Sequence, residues 1–419
     1  MCHSLSAMSK VFTSAKLIAF GFSGGSTQLR NAASLSASKM KFDLNTKPKA
    51  KPESYEDIVF GSVFTDHMLT IEWDSKRGFH APHIKPFGNL SLHPAVSSLH
   101  YGLQLFEGMK AYRSMRTGKV NLFRPKKNIA RLNQSASRIA LPFVDSDEFL
   151  ACISELVSLD QDWVPHSRRA SLYMRPTYIS TQPTLGVSPP HRAMLFVLLS
   201  PVGPYFKTGT FQPVRLLADT QYVRAWEGGT GKYKLGGNYG ATIGIQKKAE
   251  KLNCQQLLWL YGPKHHLTEV GAMNIFVYWT NKDGEKELVT PPLSDLILPG
   301  VTRDSILELT DSWDEFQVEE KKISMPEVYQ AALDGRLHEV FGAGTACCVC
   351  PVKSILYQRS LDQPEIDIEI PFDEKTSLAK RIYDSITAIQ YDEVDSEWSV
   401  AIEDVISESK DRILASSLK

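Results

Sequence analysis

The sequence has few of the features that mark membrane-spanning, secreted or nucleic-acid-binding proteins. No uninterrupted apolar run approaches the roughly 20 residues that a membrane span needs, and the longest, Ala193 to Val202, predicts a buried strand. The 47 basic residues cancel the 47 acidic ones, so no general nucleic-acid or membrane surface is expected. Six cysteines among 419 residues are too few for a disulfide framework and indicate a reducing compartment.

Acidic residues are absent from the first 42 positions, which contain five Lys or Arg and nine Ser. This basic, serine-rich composition is typical of an organellar transit peptide, and a disordered tail of a cytosolic protein is the alternative. We therefore expect residues 1–46 to lie outside the fold. A mitochondrial location is predicted, with a cytoplasmic one as the alternative.

The rest of the chain alternates strand-like and helix-like segments, which predicts an α/β fold. Several strands follow one another as hairpins, so the sheets are expected to be mixed and not purely parallel. The chain is too long for a single core and long enough for two domains. We predict a small α/β domain over 47–203, an interdomain linker over 204–213, a large cofactor-binding domain over 214–398 and a C-terminal extension over 399–419.

The most unusual stretch runs from Gly228 to Gly240, where six of thirteen residues are glycine. Such a backbone bends sharply or lies close to a ligand. Lys232 and Lys234 interrupt the stretch, and a lysine amine held beside a ligand can act as a nucleophile. The alternative is a surface loop with two solvated lysines. The pattern by itself does not choose between the two amines.

The second half of the chain also offers the other groups that pyridoxal phosphate requires, namely an anion for the ring nitrogen and donors for the phosphate. Glu269 stands at the head of the apolar strand predicted over 274–279. Gly300-Val301-Thr302 precedes a predicted helix, whose free N–H groups favour an anion. Gly344-Thr345-Ala346 offers a hydroxyl and further N–H groups. Taken singly, a surface acid, a capped helix and a tight turn explain these three stretches equally well.

Seven motifs, in one order and spacing between about Val59 and Trp398, together resemble the branched-chain amino acid aminotransferases of eukaryotic type, which are fold-type IV pyridoxal-phosphate enzymes. The motifs are Phe64-Thr65-Asp66-His67-Met68, Leu105-Phe106-Glu107-Gly108-Met109-Lys110, Leu172-Tyr173-Met174-Arg175-Pro176, Lys234-Leu235-Gly236-Gly237-Asn238-Tyr239, Leu267-Thr268-Glu269-Val270-Gly271, Leu298-Pro299-Gly300-Val301 and Gly344-Thr345-Ala346-Cys347. The resemblance implies a two-domain fold with a small N-terminal and a larger C-terminal domain, and a homodimer with shared active sites.

The resemblance also implies roles. Lys234 attaches the cofactor covalently and carries the substrate Cα proton, Glu269 pairs with the pyridine nitrogen, and Tyr239 bonds the phenolic oxygen. The phosphate is expected to be held by Arg131, Val301, Thr302 and Thr345. The substrate pocket is expected to be lined by Phe60, Phe106, Tyr173 and Ala346, with Arg175 for the second carboxylate of glutamate and with Tyr101, Leu185 and Val187 from the partner subunit.

The implied reaction transfers the amino group of leucine, isoleucine or valine to 2-oxoglutarate, giving branched-chain 2-oxo acids and glutamate. Two alternatives use the same fold: a D-amino acid aminotransferase or an aminodeoxychorismate-lyase-like enzyme. A third alternative, from another class, is a catalytically impaired thiol sensor or binding protein on this scaffold.

The chain departs from the family pattern at Ala272, where threonine is usual, and after Trp398, where residues 399–419 follow. Cys347 and Cys350 keep the Cys-x-x-Cys spacing that vertebrate members use as a redox switch, with Cys348 between them. Inert buried thiols are the alternative. No metal site is expected, because a zinc site needs a second ligand pair and the only nearby one, His265-His266, is better explained by a surface turn.

Overall fold

The computed structural model describes residues 33–55, 58–204, 211–360 and 362–417. Most of the predicted transit peptide and of the predicted linker therefore lies outside the described residues. Among the helices of these ranges, none is both long and apolar enough to cross a membrane.

The strands, in chain order, are β1 (Lys41–Phe42), β2 (His67–Asp74), β3 (Gly78–Phe79), β4 (His83–Pro86), β5 (Gln104–Phe106), β6 (Met109–Arg113), β7 (Val120–Phe123), β8 (Ser171–Ser180), β9 (Arg192–Val202), β10 (Val214–Asp219), β11 (Gln256–Tyr261), β12 (His266–Val270), β13 (Met273–Thr280), β14 (Lys286–Thr290), β15 (Gln317–Glu320), β16 (Leu337–Gly344), β17 (Cys348–Gln358), β18 (Ile366–Glu369) and β19 (Ser399–Ala401). The helices are α1 (Ser97–Tyr101), α2 (Pro125–Arg138), α3 (Ser146–Leu159), α4 (Gly237–Gly240), α5 (Ile243–Lys251), α6 (Val301–Asp311), α7 (Met325–Leu333), α8 (Leu378–Gln390) and α9 (Ile402–Ser417).

These strands form two sheets, and both are mixed, as predicted. The first has the order β1-β4-β2-β9-β8-β6-β7-β19, with β3 beside β2 and β5 beside β8. The second has the order β12-β11-β10-β17-β16-β13-β14-β15, with β18 beside β17. The parallel pairs include β10 with β11 and β17, while the hairpin β13–β14 is antiparallel.

Each sheet has a core of its own because its strands bury apolar side chains against helices. In the first sheet, α2 and α3 pack on residues such as Leu122 and Leu172. The α3 helix begins where Asp145 accepts hydrogen bonds from the N–H groups of Asp147 and Glu148, which satisfies its first turn. A third apolar cluster joins the two sheets, with Tyr112 of β6 and the helices α6 and α8 as members.

Residues near both ends of the described chain pair with the first sheet, which the sequence did not predict. The prediction placed residues 1–46 outside the fold, but β1 pairs in parallel with β4, and Leu35 is buried. At the other end β19 pairs with β7, and α9 packs against α3 and buries Ile402. Strand pairing and apolar burial, which the short sequence patterns did not reveal, account for both contacts. The predicted domain boundaries themselves stay a prediction.

The edge strand β5 brings the first sheet against the glycine-rich stretch that follows β10. The Phe106 N–H donates to the carbonyl of Lys234 at 3.1 Å, and the Gly236 N–H donates to the carbonyl of Gln104 at 3.2 Å. A side chain at Gly236 would collide with Gln104, 2.9 Å from the position of a Cβ. A larger residue at this position would therefore force the Gln104 side chain to move.

Candidate active site

A cavity of about 1190 Å³ opens between the two sheets. Its lining includes most of the predicted site residues: Phe60, Phe106, Arg131, Tyr173, Arg175, Lys234, Tyr239, Val301, Thr302, Thr345 and Ala346. These residues come from the loop before β2, from β5, β8, α2 and α6, from the glycine-rich loop and from the turn between β16 and β17. The fold thus brings together side chains from both halves of the chain.

The glycine-rich loop is held in place by Asn238. Its side-chain amide donates to the carbonyl oxygens of Thr230 at 2.8 Å and Tyr233 at 2.9 Å. The Thr230 hydroxyl in turn donates to the Asn238 side-chain oxygen at 2.7 Å. These bonds close the loop around Lys234, whose N–H donates to the hydroxyl of Ser135 at 2.9 Å.

The two lysines of the loop have different surroundings. Lys232 forms an ion pair with Asp295, with 2.8 Å between Nζ and Oδ1, at the protein surface. Lys234 lines the cavity, and its Nζ donates to the Tyr239 hydroxyl at 3.0 Å. The amine also lies 4.6 Å from the centre of the Phe106 ring. Of the two, Lys234 is therefore the amine that a ligand in the cavity can reach.

Glu269 is a buried carboxylate with two donors. Its Oε1 accepts from the Leu298 N–H at 2.7 Å, and its Oε2 lies 2.9 Å from Nε of Arg224. Burial raises the pKa of the Glu269 carboxyl, while Arg224, the Leu298 N–H group and the nearby Lys234 amine oppose that shift. These two donors fix the side chain of Glu269. Glu269 does not itself line the cavity, but Arg224, which contacts it, does.

Arg131 also lines the cavity, and it is paired with Glu107. The guanidinium Nε and Nη2 donate to Oε1 and Oε2 of that carboxylate at 2.7 Å and 2.8 Å. Burial raises the cost of the Glu107 charge, yet Arg131 and the Asn128 amide lower the pKa of Glu107 below its usual value. Nη1 of Arg131 donates to the carbonyl of Pro299 at 2.9 Å, which places the guanidinium next to the start of α6.

The start of α6 offers donors for an anion. This helix begins at Val301 after Gly300, and no side chain in the described part of the chain caps it. Gly300, Val301 and Thr302 all line the cavity, so the free N–H groups of the first turn and the helix dipole favour a negative charge there. A Cβ at position 300 would lie 2.0 Å from Oδ1 of Asn274, so only glycine fits at the helix start.

Aromatic rings form another part of the cavity wall. Phe60 meets Tyr173 edge to face with 4.8 Å between ring centres, and Phe106 lies 4.9 Å from Tyr239. The Arg175 guanidinium stacks 4.6 Å from the centre of the Phe106 ring and donates to the Tyr173 hydroxyl at 2.9 Å. Its buried Nε has no hydrogen-bond partner among the described residues. This part of the wall therefore combines an apolar surface with the positive charge of Arg175.

Three predicted substrate contacts lie elsewhere on this chain. Tyr101, Leu185 and Val187 are 42%, 63% and 77% exposed, and none of them lines the cavity. The Tyr101 hydroxyl donates to the carbonyl of Leu185, so the two form one surface feature. They do not reach the site of their own subunit.

The three clustered thiols are buried. Burial raises the pKa of both Cys347 and Cys348 to about 12, and it raises the pKa of Cys350 as well. Cys347 lines the cavity, and its Sγ lies 3.1 Å from Sδ of Met273. In this arrangement the thiols are poor nucleophiles, because only the thiolate reacts readily.

Sequence reasoning missed three residues that hold the site together: Glu107, Arg224 and Asn128. Glu107 stands inside a quoted motif, between Phe106 and Gly108, and a buried acid in such a stretch was the available signal. Arg224 lies in a loop with no periodicity, so nothing in the pattern distinguished it from a surface arginine. Only the fold places each of them against its partner.

The comparisons with known proteins agree on one group. The sequence profile of the family described as amino-transferase class IV matches residues 104–355. The cytosolic branched-chain-amino-acid aminotransferase of Mus musculus is 53% identical over 355 residues, which cover 84% of this chain and 90% of the relative. The mitochondrial branched-chain-amino-acid aminotransferase of Bos taurus is 51% identical over 372 residues, or 88% of this chain and 93% of the relative.

Solved structures support the same fold. The branched-chain amino acid aminotransferase of Escherichia coli aligns with a TM-score of 0.64 at 23% identity, covering 80% of this chain and 99% of that one. The enzyme of Thermobaculum terrenum in its PLP form aligns with a TM-score of 0.62 at 19% identity, covering 79% and 98%. At these identities the likeness concerns the fold alone.

Proposed function

The chain belongs to the branched-chain-amino-acid aminotransferases of the class IV family, and from that premise we propose how its cavity performs the reaction. It is a pyridoxal-phosphate-dependent aminotransferase that acts on leucine, isoleucine and valine. The resemblance and the fold type predicted from the seven motifs are confirmed. The proposed acceptor of the amino group is 2-oxoglutarate.

The cavity fits this cofactor. It presents a lysine amine on one wall, a carboxylate held behind the wall, and an uncapped helix start beside an arginine. Lys234 would attach the cofactor, Glu269 would face its ring nitrogen and Tyr239 its phenolic oxygen. Arg131, the N–H groups of Val301 and Thr302, and Thr345 would hold the phosphate. When bound, pyridoxal phosphate supplies an electron sink that makes the substrate Cα proton acidic.

The observation that carries the proposal is the placement of Lys234. Its amine lines the cavity, 3.0 Å from the Tyr239 hydroxyl, and no carboxylate lies within 4 Å of it among the described residues. With the cofactor bound, Lys234 Nζ would be the base that removes the substrate Cα proton and the acid that later gives a proton back. Tyr239 orients the amine throughout.

The pocket wall accounts for the choice of substrate. Phe60, Phe106 and Tyr173 offer an apolar surface for a branched aliphatic side chain. The Arg175 side chain lines the cavity beside that surface, so the same pocket can bind the second carboxylate of glutamate. A transaminase needs both properties, because its two substrates differ in the charge of the side chain.

A homodimer is part of the proposal. Tyr101, Leu185 and Val187 form an exposed group that does not serve the cavity of its own subunit. Apolar side chains with this exposure are typical of an interface. In a symmetric dimer they would complete the cavity of the partner, which agrees with the resemblance.

Location and redox control remain proposals. Relatives from the cytosol and from mitochondria have similar identities to this chain. The composition of its first 42 residues favours mitochondrial import, which a C-terminal fluorescent fusion with and without residues 1–32 would test in cells. A redox switch at Cys347 and Cys350 would first require the 345–347 turn and the start of β17 to open, because both thiols are buried.

A direct test uses the purified full chain with leucine or D-alanine as donor and 2-oxoglutarate as acceptor. We expect glutamate to form from leucine and not from D-alanine. Borohydride should fix the cofactor on Lys234, as read by mass spectrometry of peptides. Activity with D-alanine alone would favour another fold-type IV enzyme, and a protein that binds no cofactor would contradict the proposal.

A further inference from the structure

Lys110 is a lysine for which neither the reaction nor the cofactor has a use. It lies in β6, where side chains alternate between the two faces of the strand. Met109 and Ala111 belong to the core of the first sheet. Tyr112 belongs to the cluster that joins the two sheets, and Lys110, two residues before it, shares that face. The amine of Lys110 therefore extends from the first sheet toward the second.

The amine ends on the backbone of the second sheet. Nζ of Lys110 donates to the carbonyl oxygen of Ala346 at 2.8 Å, a contact between residues 236 positions apart. Within the described ranges no carboxylate lies within 4 Å of this amine, so the lysine does not neutralise an acid. Burial lowers the pKa of Lys110, and the nearby Cys348 and Cys347 thiols oppose that shift. Burying an ammonium group costs free energy. This cost is an argument that the contact has a structural role.

The carbonyl that Lys110 binds belongs to the turn over 345–347, between β16 and β17. Thr345, Ala346 and Cys347 all line the cavity. The next residue, Cys348, has a φ of 63°, a left-handed conformation that is unfavourable for a side chain of this kind. A turn that ends on such a residue needs support from its surroundings, and Lys110 provides it from the other sheet.

We propose that Lys110 is a positioning residue that sets the substrate pocket by holding the 345–347 turn in place. It does not line the cavity itself. Because the turn carries Ala346, the hydrogen bond from Lys110 determines how closely the wall fits a branched side chain. The proposal rests on the proposed function for its kinetic consequences, but the support of the turn is a separate, measurable property.

Three variants test the kinetic part: Lys110→Met, which removes the donor, Lys110→Arg, which restores a charged donor, and Lys126→Met as the control. Lys126 is an exposed lysine in α2 that pairs with Asp147. We expect Lys110→Met to raise KM for leucine about tenfold, the usual effect of losing a bond to a charged donor, with a smaller change in kcat. The preference for leucine over alanine should fall, and Lys110→Arg should recover most of both.

Two further measurements need no activity. Hydrogen exchange of the amides at 344–349 and alkylation of Cys347 by a maleimide should both become faster in Lys110→Met and not in Lys126→Met. If Lys110→Met does not fold, Lys110→Gln replaces it, since its shorter amide keeps the polarity but not the reach. Unchanged exchange, alkylation, KM and selectivity in the variant would overturn the proposal. A wild-type chain that fails to transaminate leucine would overturn the proposed function instead, and the exchange and alkylation rates would still decide the role of Lys110.

Discussion

Glu107 and Arg131 form a buried ion pair in which both carboxylate oxygens accept from the same guanidinium, at 2.7 Å and 2.8 Å. The pair joins the residue that follows β5 to α2, and the third nitrogen of Arg131 donates to the carbonyl of Pro299, two residues before α6. Because a planar guanidinium fits a carboxylate in one orientation, Glu107 fixes the direction in which Arg131 faces the cavity. The proposed phosphate site thus depends on an acid that never needs to touch the phosphate.

Replacing Glu107 with Gln should therefore destabilise the chain and weaken cofactor binding. Breaking a buried pair by changing one partner typically costs roughly 3–5 kcal/mol, because the other charge is left unpaired. We expect a lower melting temperature and at least a tenfold weaker affinity for pyridoxal phosphate, measured by absorbance titration. Glu72→Gln, on an exposed side chain, is the control. Wild-type affinity in Glu107→Gln would show that Arg131 orients itself.

The same pair predicts a pH dependence. Although burial opposes the charge, Arg131 lowers the pKa of Glu107 below its unfolded value. The pair therefore contributes stability above the unfolded pKa of a glutamate, about 4.3, and this contribution is lost as the pH falls through the lower, folded pKa. Thermal melts of wild type and Glu107→Gln should differ most at neutral pH and converge toward strongly acidic pH. A constant difference between the melting curves at all pH values would contradict this assignment.

Arg224 should control the charge of Glu269. Burial raises the pKa of that carboxyl and Arg224 opposes the shift, so Arg224→Met removes the largest opposing influence. The pKa of the Glu269 carboxyl should then rise further, so that the group holds its proton to higher pH and pairs less well with a protonated ring nitrogen. We expect kcat to fall about a hundredfold at pH 7 and to recover partly as the pH rises, because higher pH restores the carboxylate. Arg224→Lys should retain more activity, and a loss that does not vary with pH would point to a structural effect only.

Lys234 and Lys232 form a matched pair for testing the covalent site. Both lie in the same loop, but Lys232 is paired with Asp295 at the surface. Lys234→Ala should abolish amino transfer and the borohydride-dependent mass increase, whereas Lys232→Ala should keep both. The comparison separates the loss of the reactive amine from damage to the glycine-rich loop, and an active Lys234→Ala protein would exclude the proposed role.

The shared site can be tested by mixing two variants, each of which impairs a different part of the site. Tyr101→Ala should impair the cavity of the partner, while Lys234→Ala impairs its own. In a mixed dimer, the Tyr101→Ala subunit keeps Lys234 and receives an intact Tyr101, so one site is complete. Activity should therefore reappear when the two variants are unfolded and refolded together. Two copies of the same variant, treated in the same way, are the control, and their recovery of activity would contradict a shared site.

The sequence by itself determined the chemistry of this protein, because cofactor chemistry demands particular residue types. The lysine in the glycine-rich loop, the acid at the head of an apolar strand and the small residues before α6 could be identified from the chain. Taken singly each of these stretches had an ordinary explanation, and the seven motifs in one order and spacing are what identified the family. The choice between Lys232 and Lys234, however, came from the family resemblance, because both lysines lie in the same glycine-rich stretch.

Only the tertiary structure decided which side chains meet. Glu107 and Arg131 are 24 positions apart, Arg224 and Glu269 are in different elements, and Lys110 reaches Ala346 across 236 positions. Such pairs carry no sequence period, because each joins parts of the chain that only the fold brings together. The ends of the chain show the same limit: β1 and β19 are two and three residues long, too short for a pattern, and only their pairing with β4 and β7 fixes them. The sequence supplied the reactive groups, and the tertiary structure gave each of them its direction and its partners.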